Sequence, residues 1–515
     1  MKKMKGLFRI IFGRTAFVVL FLLIQIGFLL SCVRWLSGYL VYVYGGMIVL
    51  TVLVVVHILN ENVNPSFKIA WMVPVLVIPV FGTLLYLFVQ MQIGTKIIAA
   101  RLKVTIEETE PYLKQGETAA EALRKKSQGM KNLAHYVKEY GGFPVYQGTS
   151  VEYFPLGDDL FPELKRQLSL ARHFIFMEYF IIERGVMWEE ILEILEQKAA
   201  EGVEVRVMYD GMCSMALLPY RYPKLLEKKG IQCKMFSPVK PTLSTHQNNR
   251  DHRKICVIDG HTAFTGGVNL ADEYINQKLR FGHWKDTAVM LQGEAVRSFT
   301  MMFLQMWNIT ERKSEEYKQY LGDFRGDCRQ RADGGFVMPY GDSPLDKENI
   351  GELVYIDILN QAKDYVHIMT PYLILDHEMV TALTFAAKRG VETIIIMPHI
   401  PDKKYAYMLA RSYYRELIEA GVQIYEYIPG FVHAKSFVSD DEKAVVGTIN
   451  LDFRSLYLHF ECGVLMYQNP AVQAVERDFK ETLEKCCRIT LEDCRRYPFF
   501  KSFAGQLMRF VAPLM

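Results

Sequence analysis

HRKICVIDGHTAFTGGVNL, residues His252 to Leu270, returns as HAKSFVSDDEKAVVGTINL, residues His433 to Leu451. The two stretches align without a gap and are identical at eight of nineteen positions. Each carries a His, a Lys two residues on, an Asp seven on, a Gly fourteen on and an Asn seventeen on. Such matched spacing at two distant places indicates an internal repeat, so we expect two related halves.

The composition sets wide limits on the protein's function. Its 515 residues suffice for two or three domains, each with its own core. The net charge of +3 argues against a nucleic-acid-binding protein that works by broad charge neutralisation. The nine cysteines include no C-x-x-C pair, so neither a disulfide framework nor a zinc site is predicted. The closest group is Cys486, Cys487 and Cys494, which we do not expect to bind a metal.

Three apolar runs without Asp, Glu, Lys or Arg occupy the first 93 residues, at about 16–33, 39–59 and 69–89. About 20 apolar residues cross a bilayer as a helix, so residues 1–93 are predicted to be a membrane anchor with three spans. Buried helices of a soluble protein are the alternative for all three runs. A signal peptide is the alternative for the first, although no small-residue cleavage site follows it.

The orientation of the anchor stays open in the sequence. Basic residues before the first run predict a cytoplasmic N-terminus. Three spans would place the remaining chain outside, whereas two spans and a re-entrant segment, interrupted at Pro74 and Pro79, would keep it inside. Residues 94–140 are polar with helical periodicity, and we expect a helical linker on the membrane surface.

From about residue 141 the chain alternates strand-like and helix-like segments. In the first half these are 173–182 (strand), 188–201 (helix) and 203–210 (strand); in the second they are 364–374, 377–389 and 391–398. The order predicts an α/β fold with a largely parallel sheet in each half. We place the halves at 141–325 and 345–515, joined by a linker rich in Gly and Asp.

The repeated residues suit a phosphate ligand. On a strand, a His and a Lys two residues apart point the same way, so both would enter one pocket. A charged Lys disfavours a metal ion but attracts a phosphate, to which an Asn amide can also donate. The Gly would let the backbone approach the ligand. The residues in these roles are Lys254 and Lys435, Asn269 and Asn450, and Gly266 and Gly447.

Two copies can supply chemistry that one copy cannot. A single H-x-K-x4-D match arises by accident in many proteins, but two matching copies argue against accident. If the copies meet, His252 and His433 lie on opposite sides of one phosphorus. One neutral imidazole can attack while the other, protonated, releases the leaving alcohol.

These motifs resemble the paired HKD motifs of the phospholipase D superfamily, and the wider sequence resembles bacterial cardiolipin synthases. The matching segments include RDHRKICVIDG, FTGGVNLADEY, HWKDTAV, the stretch IPGFVHAKSFVSDDEKAVVGTINLDFRS, HFECGV and NPSFKIAWMVPVLVIPVFGTLLYLF. The resemblance runs from about residue 40 to the C-terminus. The first apolar run is additional to the two-span anchor usual in that family.

The resemblance implies a reaction between two phosphatidylglycerol molecules that yields cardiolipin and glycerol through a phosphatidyl-histidine intermediate. It implies that His252 is the nucleophile and His433 the general acid and base, although these roles could be reversed. It also implies an acidic residue downstream of each motif that orients that motif's His, and the matching residues are Asp286 and Glu461.

The catalytic set that the resemblance implies comprises His252, Lys254, Asp259, His433, Lys435 and Asp440. Because Asp259 and Asp440 fall on the opposite strand parity from the His, we expect them to hold the halves or loops together. The family implies no metal and no cofactor. It also implies a multi-pass protein of the bacterial cell membrane that binds phospholipid and not nucleic acid.

Three alternatives remain. A phospholipase D or a phosphatidylserine synthase would share these residues and differ in the acceptor. An HKD nuclease is disfavoured by the apolar runs and by the lack of a basic aromatic groove. An inactive membrane scaffold is disfavoured because both motifs are complete.

Overall fold

The computed structural model describes residues 40–90, 93–113, 118–238, 248–311, 315–322 and 334–514, with residues 23, 26, 27, 30 and 31. The first predicted span, 16–33, lies largely outside this part. From Leu40 to the first sheet, the described residues form six helices: α1 (Leu40–Asn60), α2 (Pro65–Val77), α3 (Pro79–Gln90), α4 (Ile93–Leu113), α5 (Thr118–Lys126) and α6 (Gln128–Gly141).

The third apolar run folds as two helices, because Pro79 has no N–H to continue the first one. A Cβ on Gly82 would lie 2.2 Å from the Pro74 carbonyl oxygen. In a continuous helix these residues would be about 12 Å apart, so α2 and α3 turn back on each other. Within the described residues, one stretch, Pro79–Leu113, is long and apolar enough to cross a membrane. The prediction of three spans is therefore not confirmed.

The predicted linker is helical, but much of it packs on the two halves. In α6, Met130, Leu133 and Val137 are buried in the main hydrophobic core. In α4, Thr109 accepts a hydrogen bond of 2.7 Å from the Gln305 side chain. Burial of one face explains the helical periodicity, which alone does not distinguish a membrane surface from a protein surface.

The described residues of the first half form nine strands and five α-helices. They are β1 (Ser150–Phe154), α7 (Gly157–Ser169), β2 (Phe174–Tyr179), α8 (Val186–Ala200), β3 (Glu204–Asp210), α9 (Cys213–Ala216), α10 (Tyr222–Glu227), β4 (Gln232–Phe236), β5 (Arg250–Asp251), β6 (Lys254–Ile258), β7 (Thr262–Gly266), β8 (His283–Lys285), β9 (Ala288–Gln292) and α11 (Val296–Asn308).

The second half repeats this order and ends in two further helices. Its elements are β10 (Phe336–Asp342), α12 (Ile350–Gln361), β11 (Tyr365–Met369), β12 (Leu373–Ile374), α13 (His377–Lys388), β13 (Glu392–Pro398), α14 (Lys404–Glu419), β14 (Gln423–Tyr427), β15 (Gly430–Val432), β16 (Ser436–Ser439), β17 (Lys443–Gly447), β18 (Leu451–Asp452), β19 (His459–Tyr467), α15 (Pro470–Leu483), β20 (Cys486–Ile489), α16 (Leu491–Arg496) and α17 (Phe499–Val511).

The two main sheets have corresponding strand orders. The first is β1-β9-β7-β6-β2-β3-β4, and the second is β10-β19-β17-β16-β11-β13-β14-β20. The mixed α/β fold is as predicted, but the expectation of largely parallel sheets is wrong. Among the described strands of these two orders, only those joined by crossover helices, β2-β3-β4 and β11-β13-β14, are parallel to each other. Each motif forms a tight hairpin, and a tight turn permits only antiparallel pairing.

The second sheet begins earlier than the sequence indicated. Strand β10 pairs with β19 along its whole length, and all of it falls within the stretch assigned to the linker at 325–345. Pro339 and Gly341 conceal this strand in the sequence, since both residues are depleted in strands.

The two motif aspartates sit at the hairpin turns and bind backbone. Asp259 accepts hydrogen bonds of 2.7–2.8 Å from the N–H groups of residues 172–174, at the start of β2. Asp440 does the same for residues 363–365, at the start of β11, at 2.9–3.0 Å. Both have a φ near +50°, which Asp tolerates better than most residues. Each aspartate thus joins the motif hairpin to the neighbouring central strand of its own half.

We predict that Asp259→Ala destabilises the protein by about 2 kcal/mol, because it removes three hydrogen bonds to a carboxylate. The measurement is thermal unfolding of the detergent-solubilised full chain. Asp259→Asn, which retains one acceptor oxygen and tolerates the same φ, should lose less stability than Asp259→Ala. An unchanged melting temperature together with lost activity would instead indicate that Asp259 contacts substrate.

Candidate active site

Each motif begins where its half pairs with the other half. Strand β5 runs parallel to the start of β19, and the His252 N–H donates to the Phe460 carbonyl at 2.9 Å. Strand β15 runs parallel to β8, and the His433 N–H donates to the Lys285 carbonyl at 2.7 Å. Main-chain hydrogen bonds therefore fix each motif histidine on the opposite half.

The side chains of the two motif histidines also contact the opposite half. Nδ1 of His252 lies 2.8 Å from Oε1 of Glu461, and Nδ1 of His433 lies 2.6 Å from Oδ2 of Asp286. The expectation that each carboxylate orients the histidine of its own motif is wrong. The physical reason is the strand pairing, because each histidine is bonded to the residue directly before the other half's carboxylate.

Burial sets the protonation of the two imidazoles. It lowers the pKa of His252 well below 6.5. Burial, with the charge of Lys435, lowers the pKa of His433 to about 4. Burial alone would raise the pKa of Glu461, but the interaction with His252 and the charge of Lys254 outweigh it and lower that pKa. Burial therefore favours the neutral form of both imidazoles, and a tautomer that donates from Nδ1 to the carboxylate leaves the Nε2 lone pair for reaction.

The motif lysines fold back towards the histidines. Lys254 Nζ donates to the His252 carbonyl at 2.5 Å, and Lys435 Nζ donates to the His433 carbonyl. The histidines themselves lie just before the strands rather than on them, because β6 starts at Lys254 and β16 at Ser436. The lysines nevertheless reach the same pocket by bending back.

Burial lowers the pKa of Lys254 to about 8 and that of Lys435 to about 7. When both lysines are charged, they balance the carboxylates of Asp286 and Glu461, with the two imidazoles neutral. A bound phosphodiester adds one negative charge and so favours protonation of a histidine. The site can therefore hold an acid and a nucleophile together once an anion is bound.

The motif asparagines hold the loops that follow the hairpins. Oδ1 of Asn269 accepts from the Ile181 N–H at 3.0 Å, and its Nδ2 donates to the Tyr274 hydroxyl at 2.8 Å. Nδ2 of Asn450 donates to the Ser455 hydroxyl at 3.0 Å. One amide hydrogen of each asparagine therefore binds protein, and donation to phosphate stays a prediction.

The motif glycines permit close packing of neighbouring strands, and their role in the approach of a ligand stays a prediction. A Cβ on Gly266 would lie 2.3 Å from the Thr287 carbonyl oxygen, and one on Gly447 would lie 2.4 Å from that of Cys462. These contacts belong to the neighbouring strand in each sheet. Because the backbone of that strand fills the space, a side chain at either position would push the sheet apart.

The sequence reasoning missed a third buried histidine at this site, His459. The ring of His459 lies 5.5 Å from that of His252, and its Nδ1 lies 3.8 Å from Glu461. Neither ring nitrogen has a hydrogen-bond partner among the residues that the structure describes. The signal was the pattern H-x-E at the start of β19, where residues two apart share a face.

Aromatic rings enclose both motif histidines. Phe180 meets the His252 ring edge to face at 4.9 Å, while Tyr274 and Trp284 lie 5.4 Å from the His433 ring. These aromatic rings lower the polarity around the imidazoles, which strengthens the electrostatic interactions of the site.

Two groups in the described part of the chain bring three possible metal ligands together. One is His252, His459 and Glu461; the other is His399, Glu426 and Cys487. In the first group, Glu461 already accepts from His252, and Lys254 adds a positive charge that disfavours a second cation. In the second group, Cys487 lies near His399 and Glu426, whereas Cys486 and Cys494, which are its neighbours in the sequence, are not part of this group.

Comparisons with known proteins identify the family of the chain. Residues 164–307 and 355–483 match the family model described as cardiolipin synthase, PLD-like domain, and residues 49–90 match the one described as phospholipase D-nuclease N-terminal. The chain is 52% identical to an uncharacterised protein of Streptococcus mutans, over 90% of this chain and 99% of that one.

A cardiolipin synthase of Halalkalibacterium halodurans is 33% identical, over 97% of this chain and 99% of that one. The crystal structure of phosphatidylserine synthase from Haemophilus influenzae has the same fold. Its TM-score is 0.55 at 16% identity, over 75% of this chain and 97% of that one. Since the family model covers both halves and a cardiolipin synthase aligns along nearly the whole chain, this protein belongs to the cardiolipin synthase family, with its phospholipase D-like domains.

Proposed function

We propose that the protein is a cardiolipin synthase, a phosphatidyltransferase that converts two phosphatidylglycerol molecules into cardiolipin and glycerol. The observation that carries this proposal is the crossed arrangement of two buried histidines, each with Nδ1 on a carboxylate of the other half. This arrangement directs Nδ1 of each imidazole at a carboxylate and leaves its Nε2 for phosphorus, which suits double displacement.

In the first proposed step, Nε2 of His252 attacks the phosphorus of one phosphatidylglycerol. The N–P bond forms as the bond from phosphorus to the glycerol oxygen breaks. Protonated His433 gives its proton to that oxygen, and glycerol leaves. The lysine charges stabilise the phosphoryl oxygens, and Glu461 stabilises the imidazolium character that develops on His252.

In the second proposed step, His433 is neutral and accepts the proton of a glycerol hydroxyl from the second phosphatidylglycerol. The hydroxyl oxygen attacks phosphorus, the N–P bond breaks, and cardiolipin forms. His433 is then protonated again for the next cycle. If water took the place of the second lipid, the product would be phosphatidic acid, so access of the acceptor decides the outcome.

Membrane association follows from the substrate and from the N-terminal region. Residues 49–90 match the N-terminal family model, and α1 and α2 expose apolar side chains, including Val52, Leu53, Leu76 and Val77. We further propose a multi-pass anchor in the bacterial cell membrane, in which α2 and α3 form a re-entrant segment rather than a third span, and a pseudo-twofold relation between the halves. The corresponding strand orders and the crossed contacts support that relation.

We predict that the full chain in phosphatidylglycerol vesicles releases glycerol and forms diphosphatidylglycerol in equal amounts. His252→Ala and His433→Ala should each abolish both products, because neither imidazole can replace the other. Thin-layer chromatography of the lipids, with an enzymatic glycerol assay, measures this. Phosphatidic acid as the main product would indicate a phospholipase D, and phosphatidylserine formed on addition of serine would indicate a phosphatidylserine synthase.

We predict that Glu461→Gln and Asp286→Asn each lower kcat by about 10²- to 10⁴-fold, because each removes the charge that supports the imidazolium of the opposite half. The measurement is the initial rate of cardiolipin formation.

Glu476→Gln is the matched control. Glu476 is buried and lies 3.0 Å from Nδ1 of His367, a histidine outside the site. The Glu476→Gln variant should retain most of the parental rate of cardiolipin formation even if it unfolds at a lower temperature. If the two site variants lost no more activity than this control, the crossed pairs would not support catalysis.

A further inference from the structure

The last helix, α17, exposes an apolar stripe. Phe499, Phe503, Leu507 and Val511 recur every fourth residue and are 75%, 56%, 63% and 37% exposed, and Phe500 beside them is 83% exposed. Residues four apart lie on one face of a helix. A surface helix of a soluble protein places its apolar face inward, so this stripe requires an apolar partner.

The opposite face of α17 is fixed on the second half. A Cβ on Gly505 would lie 2.5 Å from the Met408 carbonyl oxygen, so the helix packs tightly on α14. Arg509 stacks over the Tyr413 ring at 3.7 Å and pairs with Glu416 at 3.1 Å. These contacts hold the helix without the apolar stripe, so the stripe can be changed without releasing α17.

The location of α17 identifies the partner. The helix and the turn that follows it, Ala512–Leu514, pack against α2. The start of α2 is tied to the second half, because Asn64 donates to Asp376 at 2.9 Å and Phe67 meets Tyr457 edge to face at 5.5 Å. The bilayer surface therefore lies near the first turns of α2, at the level of α17.

Positive charge near α17 is also consistent with contact between this helix and a bilayer surface. Arg495, near the end of α16, and Lys501, in the first turn of α17, are both exposed close in sequence to the three exposed phenylalanines. Basic side chains beside an apolar face are typical of helices that lie on anionic bilayers.

We propose that α17 is an interfacial helix that inserts its Phe and Leu side chains into the head-group region of an anionic phospholipid bilayer. The proposal rests on the membrane association proposed above and adds a second attachment at the other end of the chain. Because α17 is fixed on α14, this attachment sets the tilt of the second half over the bilayer and stabilises the enzyme in the orientation that admits lipid head groups.

The first test uses a tryptophan reporter in the full chain, reconstituted in phosphatidylglycerol-containing vesicles with brominated acyl chains. The fluorescence that Phe503→Trp adds should be lower by about half or more in these vesicles than in vesicles with unbrominated chains. The physical reason is that the apolar face of an interfacial helix reaches about 5–10 Å into the boundary with the acyl chains, where bromine quenches tryptophan. Leu225→Trp, at a 46% exposed position on α10, is the matched control and should not be quenched. Difference spectra against the parent remove the five native tryptophans.

The second test compares two substrates with the triple variant Phe499→Ser, Phe500→Ser, Phe503→Ser. Cardiolipin formation from vesicles should fall about tenfold or more, because each removed phenyl ring forfeits burial in the interface. Formation from monomeric short-chain phosphatidylglycerol should be unchanged. The triple variant should also keep the parental melting temperature.

Absence of quenching at Phe503→Trp would overturn the proposal, and would indicate that residues 1–39 or a second copy of the chain covers the stripe. Equal loss on both substrates would also overturn it, because the stripe would then act inside the protein. If the parent formed no cardiolipin, the proposed function would fail, and the quenching experiment would still decide the role of α17.

Discussion

The two hydrogen bonds between a histidine of one half and a carboxylate of the other are the constraint on which the site depends. They require His252 and Glu461, and likewise His433 and Asp286, to be brought together by strand pairing between the halves. All four side chains are buried, so separating the halves would leave charged carboxylates without their partners. Loss of one partner from a buried pair is costly, which makes the two halves interdependent.

Because each histidine contacts a carboxylate of the other half, the motif residues have two different roles. Histidine and lysine side chains converge on the pocket between the halves. Aspartate, asparagine and glycine of each motif instead bind backbone, fix loops and permit close packing of strands. The repeat therefore encodes a hairpin of fixed shape as well as a set of reactive groups, and the shape delivers the reactive groups to the other half.

The sequence predicted the elements of each half well, because their apolar periodicity is local. Helices near 188–201 and 377–389 and the strands around them occur within a few residues of the predicted positions. The crossed carboxylates could not be predicted, since pairing between β5 and β19 depends on contacts between residues more than 200 positions apart. Strand direction was predicted wrongly because alternation of strands and helices hides the hairpins that close each sheet.

The role of a single residue could not be predicted from the sequence where two different structural roles require the same residue type. A glycine can admit a ligand or a neighbouring strand, and only the fold shows that Gly266 and Gly447 admit strands. The third histidine, His459, was overlooked because its contact with the site comes from the same long-range pairing that brings Glu461 to His252. Sequence spacing identifies residues that share a strand face, but it does not show which half that face meets.

The central claim is that the two halves form one site in which a histidine carries the phosphatidyl group. The most direct measurement is acid quenching of the full chain during turnover with phosphatidylglycerol that carries ³²P in its phosphodiester, followed by peptide mapping. We expect label on His252, with more label retained in Asp286→Asn if loss of support for His433 slows the second step more than the first. Label on His433 would reverse the two roles, and the absence of label from both histidines during active turnover would contradict the account.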